Sequence, residues 1–337
     1  MKEASFYEKL DDNKVRCGLC RHHCLIAEAK RGICGVRENR GGILYSLVYG
    51  MPCSCHVDPI EKKPLFHFFP GSKAFSIATV GCNFRCLQCQ NYEISQIKGD
   101  DNYIPGQKMP PEEAVELALK SGCKSISYTY TEPTIFYEYA FDMAKLAKEK
   151  GIANNFVTNG YIEDEPLSNI APFLDAANID LKGFNEEFYK KVCGANLPGV
   201  LDTIRAYKRS GIWIELTTLI IPGHNDREEE LRGIARFIKN ELGAETPWHV
   251  SAFYPTYKLS DVNRTPPKIL RIARQIGMEE GLRYVYEGNT PGADGENTYC
   301  YNCGKQVISR YGYTITGYNI ENSACAFCGT TIDGIGI

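Results

Sequence analysis

Long apolar runs are absent from this sequence. No stretch of its 337 residues stays apolar over the length that a bilayer crossing needs. The opening Met1–Val15 is polar and mixed in charge, without the basic start and apolar middle of a secretory leader. A cytoplasmic location is therefore expected, with no membrane partner. An excess of charge of either sign is also missing: 38 Lys and Arg stand against 41 Asp and Glu, a net of −3. That balance gives a nucleic acid or an anionic membrane no electrostatic footing, so neither is expected as a partner. The remaining composition, 43% hydrophobic, 23% charged and 11% aromatic, is that of a globular chain long enough to bury a large core.

What the sequence does have is cysteine, 15 residues of it. In a long chain without a leader, cysteines suggest metals rather than disulfides. Eleven fall into three compact groups, Cys17/20/24/34, Cys82/86/89 and Cys300/303/325/328. The first reads as C-x2-C-x3-C-x9-C, a knuckle with a returning ligand, and zinc or a second iron–sulfur cluster would suit it. His22 and His23 are expected beside that site or on the surface. The last group, two C-x2-C knuckles each followed by glycine, has the spacing of a zinc ribbon. Zinc is the expected ion there, with an iron–sulfur cluster as the alternative. Cys123 and Cys193 read as small core residues, and Cys53-Ser-Cys55-His56 fits no standard site. The middle group, C-x3-C-x2-C, has only three thiols. A cubane cluster takes four ligands, so three leave one iron open, the mark of a reactive site.

Residues 1–73 carry few regular signals and read as a Cys-rich N-terminal extension. It ends in Pro59-Ile-Glu-Lys-Lys-Pro64 and an aromatic-rich linker. From residue 74 the texture alternates. Candidate strands are Phe75–Val80, Lys124–Tyr130, Ala153–Thr158, Ala176–Leu181, Ile212–Ile221 and His249–Phe253, with a final one at Arg283–Glu287. Helical stretches lie between them, the clearest being Pro111–Gly122 with proline at its start, acids in its first turn and glycine at its end. The pattern predicts an α/β fold, a partial (β/α)6 TIM-like barrel over residues 74–290, with a doubly wound sheet as runner-up. Residues 291–337 then form a zinc-ribbon-like segment.

Polar groups recur at the C-terminal ends of these strands, where barrel enzymes gather their chemistry. The first strand leads into Cys82, Cys86 and Cys89, and the second into Tyr130-Thr131-Glu132-Pro133. The third leads into Asn159-Gly160, the fourth into Asp180-Leu-Lys182 and the fifth into His224. The sixth carries His249 and is followed by Tyr254. Asn159-Gly160 alone would be an ordinary turn. The co-occurrence is what points to a site.

The Cys82/86/89 array with these strand ends resembles the radical S-adenosylmethionine (SAM) superfamily. The resemblance implies a [4Fe–4S] cluster on the three cysteines, with the amino and carboxylate groups of SAM on the open iron. Glu132-Pro133 is similar to the end of the Gly-Gly-Glu-Pro stretch that holds the methionine amino group, with Tyr130 and Thr131 standing where the glycines would be. Asn159, Asp180 and Lys182 resemble cofactor-binding positions of the activating-enzyme branch, which includes the pyruvate formate-lyase activating enzyme. Lys182 would pair with the methionine carboxylate. Gln88 stands where an aromatic residue often lies near adenine, and would bind the adenine edge by hydrogen bonds.

Further motifs spanning most of the chain, Gly32-Ile-Cys-Gly-Val-Arg37, Pro-Ile-Glu-Lys-Lys-Pro-Leu, Tyr-Thr-Glu-Pro-Thr and Tyr284-Val-Tyr-Glu-Gly-Asn289, resemble the AmmeMemoRadiSam-system radical SAM enzymes. That likeness implies AMMECR and Memo family proteins as partners, besides SAM and an electron donor such as flavodoxin or ferredoxin. The implied reaction is reductive cleavage of SAM to a 5′-deoxyadenosyl radical, which abstracts hydrogen from an unidentified substrate. His224, His249 and Tyr254 are candidates to face that substrate. Two other readings compete: an activase that installs a glycyl radical on a partner protein, and an inactive metal-binding scaffold.

Overall fold

In the computed structural model, which describes residues 1–97 and 103–337, eight strands form one continuous sheet. They are β1 (Ser54–Pro59), β2 (Lys73–Ala78), β3 (Ser125–Tyr128), β4 (Ala153–Thr158), β5 (Ala176–Asp180), β6 (Trp213–Ile220), β7 (Trp248–Ala252) and β8 (Val285–Gly288). Each strand pairs with its sequence neighbours, in the order β1 to β8. β2 to β8 run parallel, and β1 pairs antiparallel with β2. A doubly wound sheet reverses its strand order at a switch point, and this one does not. The array is barrel-like but open, since β8 and β1 do not pair.

The expected six-strand barrel is thus corrected to a sheet of eight. Arg283–Glu287 appears as β8, slightly shifted. β1 lies within the stretch read as the N-terminal extension. As an edge strand it is covered on one side only and mixes polar with apolar residues, so its sequence lacks the run that marks a buried strand. The central strands have that run: β3 and β7 are buried at every residue.

Six longer helices connect the strands: α1 (Pro111–Lys120), α2 (Tyr137–Glu149), α3 (Asp164–Ile170), α4 (Leu197–Arg209), α5 (Glu228–Phe237) and α6 (Pro267–Glu279). Their starts follow local chemistry. Pro111 opens α1 ahead of Glu112 and Glu113, and Asn196 caps α4 by accepting from Gly199 N at 2.8 Å. Among the described residues no helix is long and apolar enough to cross a membrane.

The N-terminal region folds into two small three-stranded sheets instead of the irregular segment its sequence suggests. Strands of two to four residues are too short to show a period. At the other end, Gln306–Tyr311 and Thr314–Tyr318 form the hairpin between the C-terminal cysteine pairs. This segment docks on the sheet through its own apolar cluster, which takes in Phe66, Tyr284, Tyr286, Val307, Ile308 and Ile332.

A buried polar relay fixes that docking. Arg310 donates to Thr298 Oγ1 at 2.7 Å, Thr298 meets the Tyr286 hydroxyl at 2.8 Å, and that hydroxyl meets His67 Nε2 at 2.6 Å. His67 Nδ1 lies 2.6 Å from the Asp333 carbonyl, which can only accept, so Nδ1 carries a proton. Burial holds the ring's pKa down at about 4, so at neutral pH the ring is neutral and Nε2 accepts from the Tyr286 hydroxyl. An unfolded His67 binds its proton near 6.5, so the unfolded state gains protons first as pH falls. Stability from this group is complete above pH 6.5 and is lost on acidification towards pH 4, by about 3 kcal/mol. Chemical denaturation of the wild type and His67→Asn across that range should show a distinctly flatter pH slope in the variant.

Candidate active site

The C-terminal ends of the parallel strands open into one cavity of about 410 Å³. Cys82, Cys86 and Cys89 line it from the loop after β2. Backbone constraints shape that loop. Gly81 has φ +98°, and a Cβ there would lie 2.7 Å from both the Cys34 carbonyl and Val36 Cγ1. Arg85 donates to the Cys82 and Phe84 carbonyls at 2.9 and 3.1 Å. The Cys89 sulfur sits 3.0 Å from Ser95 Oγ.

Glu132, after β3, organises the wall beside the cysteines. It is fully buried and accepts from Thr134 N at 3.0 Å, Thr134 Oγ1 at 2.7 Å, Thr158 Oγ1 at 2.7 Å and Asn159 N at 2.8 Å. Burial raises its pKa, and these hydrogen bonds oppose the rise. Its carboxylate is thus spent inside the wall, and Glu132 is not among the cavity-lining residues, whereas Tyr130 and Thr131 are. Asn159, held by Glu132, turns its amide to Asn83 Oδ1 at 2.8 Å and to the Cys82 sulfur at 3.8 Å.

Tyr130 explains how the chain manages without glycine. Its φ is +64°, the left-handed backbone that a glycine adopts freely and that costs another residue about 1–2 kcal/mol. Side-chain contacts offset this. The Tyr130 hydroxyl bonds Asp58, which also accepts from Lys62, Lys63 and Ser76 at 2.9, 2.7 and 2.8 Å. The Lys63 ammonium lies 4.3 Å over the Tyr130 ring. Burial pulls the Lys63 pKa down to about 8 against the pull of Asp58. The Pro59–Pro64 motif is thereby tied to the cavity wall, and Glu61, Lys62, Lys63 and Pro64 line the cavity.

Asp180 and Lys182 extend the wall as a 2.7 Å ion pair. Burial opposes the Lys182 charge, but Asp180 and the nearby Cys86 and Cys193 sulfurs outweigh it and hold its pKa well above the ordinary value. Cys193, read from sequence as a core residue, is buried against Cys86 and lies 4.0 Å from Gln88 Nε2. A lone cysteine outside any motif gave no signal of this. Gln88 Oε1 and Asn159 Oδ1 are buried, line the cavity and lack a partner. Such atoms are costly unless a ligand meets them.

A second set of groups lines the same cavity: His249, Ser251, Glu287, Glu61 and Glu296. His249 bonds Glu215 at 2.7 Å. Glu215, the one charged residue of its strand, also accepts from Phe66 N and His67 N at 3.0 and 2.8 Å. Burial would raise its pKa, but His249 and these donors hold it below the ordinary value. Glu61 is 1% exposed, its Oε2 has no partner, and burial raises its pKa, as it does for Glu287. The hairpin turn at Gly312 and Tyr313 also lines the cavity. His224 and Tyr254 do not line the cavity; the Tyr254 hydroxyl instead bonds the Asn289 carbonyl at 3.1 Å.

The other cysteines separate by spacing. The sulfurs of Cys300, Cys303, Cys325 and Cys328 all lie within 4.8 Å of one another, with 3.6 Å between Cys300 and Cys328 and 3.8 Å between Cys303 and Cys325. Cys17, Cys20, Cys24 and Cys34 surround a separate small cavity behind Asn83.

An open parallel sheet with three thiols and a ring of polar groups at one end defines an enzyme site built to hold a reactive cofactor. Comparison gives this class a family. The radical SAM superfamily profile matches residues 76–238. An uncharacterized protein of Methanocaldococcus jannaschii is 53% identical over 335 residues, 99% of each chain. The pyruvate formate-lyase-activating enzyme of Clostridium pasteurianum is 26% identical over 191 residues, 53% of this chain and 77% of that one. A solved radical SAM methyltransferase from Sphaerobacter thermophilus shares the fold, with TM-score 0.51 and 16% identity over 68% of this chain and 71% of that one. The chain belongs to the radical SAM superfamily and is an enzyme. The three thiols facing one cavity, the unpartnered Gln88 and Asn159 acceptors and the Lys182 cation all fit a [4Fe–4S] cluster with SAM.

Glu132→Gln should test the wall. An amide turns two hydrogens toward groups that are themselves donors, so unfolding free energy should fall by about 2–3 kcal/mol in a denaturant titration. Affinity for SAM should fall with it, because Asn159 loses its anchor.

Proposed function

We propose that this enzyme cleaves SAM reductively and uses the resulting radical to take hydrogen from a small polar substrate held in the same cavity. The observation that carries this reading is the continuity of one cavity from Cys82, Cys86 and Cys89 to Glu61, His249 and Glu287. When bound, the cluster and SAM supply the chemistry: one electron in, then methionine and a 5′-deoxyadenosyl radical out.

The chain's own groups do the rest. Lys182 pairs with the methionine carboxylate, and the Tyr130–Thr131 backbone receives the amino group. Gln88 and Asn159 offer their free oxygens to donors such as the adenine amine. Glu61 and Glu287 meet donor groups of the substrate, and His249 is fixed by Glu215 beside them. Lys62 and Tyr313, far apart in the chain, also line the cavity.

The Clostridium pasteurianum relative favours a second reading, a glycyl-radical activase acting on a partner polypeptide. That reading requires an opening wide enough for a protein loop, which a co-crystal with a partner peptide would test. The family-wide motifs support membership of the AmmeMemoRadiSam branch, with AMMECR and Memo proteins as partners and flavodoxin or ferredoxin as donor. We assign zinc to Cys300, Cys303, Cys325 and Cys328, because Zn–S bonds of about 2.3 Å in a tetrahedron place sulfurs about 3.8 Å apart.

Anaerobic reconstitution followed by dithionite and SAM should yield 5′-deoxyadenosine and methionine in equal amounts. No product from a fully loaded wild type would refute the reading. Cys86→Ala should yield none, and Lys182→Met should weaken SAM binding by about 10- to 100-fold, the loss of one charge-assisted hydrogen bond. Metal analysis should find about one zinc per chain, lost in Cys303→Ser/Cys328→Ser.

A further inference from the structure

The reaction above leaves Cys17, Cys20, Cys24 and Cys34 without a role. Cys17 and Cys34 are buried, while Cys20 and Cys24 are partly exposed. The strand Val15–Cys17 pairs with Leu25–Ile26, and Cys17 N donates to the Cys24 carbonyl at 3.0 Å. Gly32 brings the returning segment close: a Cβ there would touch Ile26 Cδ1 at 3.2 Å and the Cys24 sulfur at 3.6 Å. All four cysteines thus face one cavity.

Sulfur spacing separates the two metals that thiolates favour. A single zinc draws its sulfurs to about 3.8 Å, the spacing seen in the C-terminal group. A cubane gives each thiolate a different iron and holds the sulfurs farther apart. Among the described residues, the C-terminal four are the only set of three or more Cys, His, Asp or Glu with ligand atoms mutually within 4.8 Å. The N-terminal sulfurs are spread more widely, as are those of Cys82, Cys86 and Cys89. Neither of these two sets has the close spacing of the C-terminal four.

Contact adds to this. Four thiolates carry net negative charge around either metal, which a buried cation can meet. Arg37, 2% exposed, lies beside Cys17 and Cys34 with its Nε unpartnered, while its other nitrogens hold Glu138 at 2.8 and 3.1 Å. Arg85 joins the two cysteine loops, donating to the Ile33 carbonyl from one nitrogen and to the Cys82 carbonyl from another. His22 Nε2 lies 2.8 Å from the Asn83 carbonyl, and Gly81 packs on the Cys34 carbonyl. No layer of protein separates the two loops. On the outer side, Leu25 and Ile33 are 62% and 43% exposed next to Cys24 and Cys34.

We propose that Cys17, Cys20, Cys24 and Cys34 hold a second [4Fe–4S] cluster, the port through which the electron enters. A reduced flavodoxin- or ferredoxin-type protein, docked at Leu25 and Ile33, gives up one electron. The N-terminal cluster accepts it, passing from its 2+ to its 1+ core. It returns to 2+ as the electron moves on to the Cys82/86/89 site. No bond to the cysteines breaks, and no proton moves. The relay rests on the radical SAM reading; the identity of the metal does not.

The Cys82→Ala/Cys86→Ala/Cys89→Ala variant tests the metal. After anaerobic reconstitution it should hold about four iron and four sulfide per chain, with an electron paramagnetic resonance signal on reduction that SAM leaves unchanged. Zinc without iron at this site would overturn the assignment, whether or not the wild type cleaves SAM. Cys20→Ser/Cys34→Ser tests the relay. Its remaining cluster should keep its SAM-induced spectral shift and its reduction by dithionite, but reduction by reduced flavodoxin should be about tenfold slower or more. An unchanged rate would overturn the relay. If that variant fails to fold, fully reduced wild type still decides proximity. Two neighbouring half-integer spins should broaden each other's signals, and a simple sum of two spectra would refute the arrangement.

Discussion

The Glu132 carboxylate, buried and with no cation partner among the described residues, holds the wall beside the cysteines together. An acceptor with no charge partner is stable in the interior only if donors fill its lone pairs. Thr134, Thr158 and Asn159 supply four such bonds from two successive strand ends. The bond to Asn159 N sets where Asn159 points, and Asn159 in turn touches Asn83 and the Cys82 sulfur. The position of the first cysteine thus depends on an acid that does not itself face the cavity. A glutamate that appears by motif to bind a ligand instead builds the wall on which ligand-facing atoms sit.

A second buried carboxylate, Glu215, plays the matching part around His249. It binds His249 on the sheet and the backbone of Phe66 and His67 from the N-terminal linker. His67 then leads through Tyr286 and Thr298 to Arg310 in the C-terminal segment. Three stretches distant in sequence therefore converge on one acid. This is why the Pro59–Pro64 motif and the Gly312–Tyr313 turn share a cavity with the strand ends, although neither belongs to the barrel pattern.

The parallel strands were legible because burial on both faces demands continuous apolar runs, and the strand ends were legible because polar residues break those runs. Cys82, Cys86, Cys89, Asn159, Asp180, Lys182 and His249 line the cavity from positions visible in this way. What escaped was set by contacts that leave no period. β1 is an edge strand with a wet face. Cys193 meets Cys86 only through tertiary packing. Glu215 did leave a trace, the one charged residue of its strand, where burial demands a partner. His224 and Tyr254 follow strands as the others do, but neither lines the cavity, and the Tyr254 hydroxyl bonds the carbonyl of Asn289, which does. Position after a strand gives proximity to the site without fixing which side chains face it.

Tyr130 shows how a departure from a family pattern can keep the pattern's geometry. The left-handed backbone that a glycine would adopt freely is present, with φ +64°. A bulky residue accepts that conformation only when its surroundings over-determine it. Here the Tyr130 hydroxyl on Asp58 and the ring beneath Lys63 do so. Asp58 directly precedes the Pro59–Pro64 stretch and Lys63 lies within it, and residues of that stretch line the cavity. The substitution therefore couples the backbone that would receive SAM to the segment that would meet the substrate. In a chain with glycine at this position the two would be independent. Here, a shift of Lys63 or Asp58 would also loosen the contacts that hold the Tyr130 backbone, so one set of contacts supports both parts of the wall.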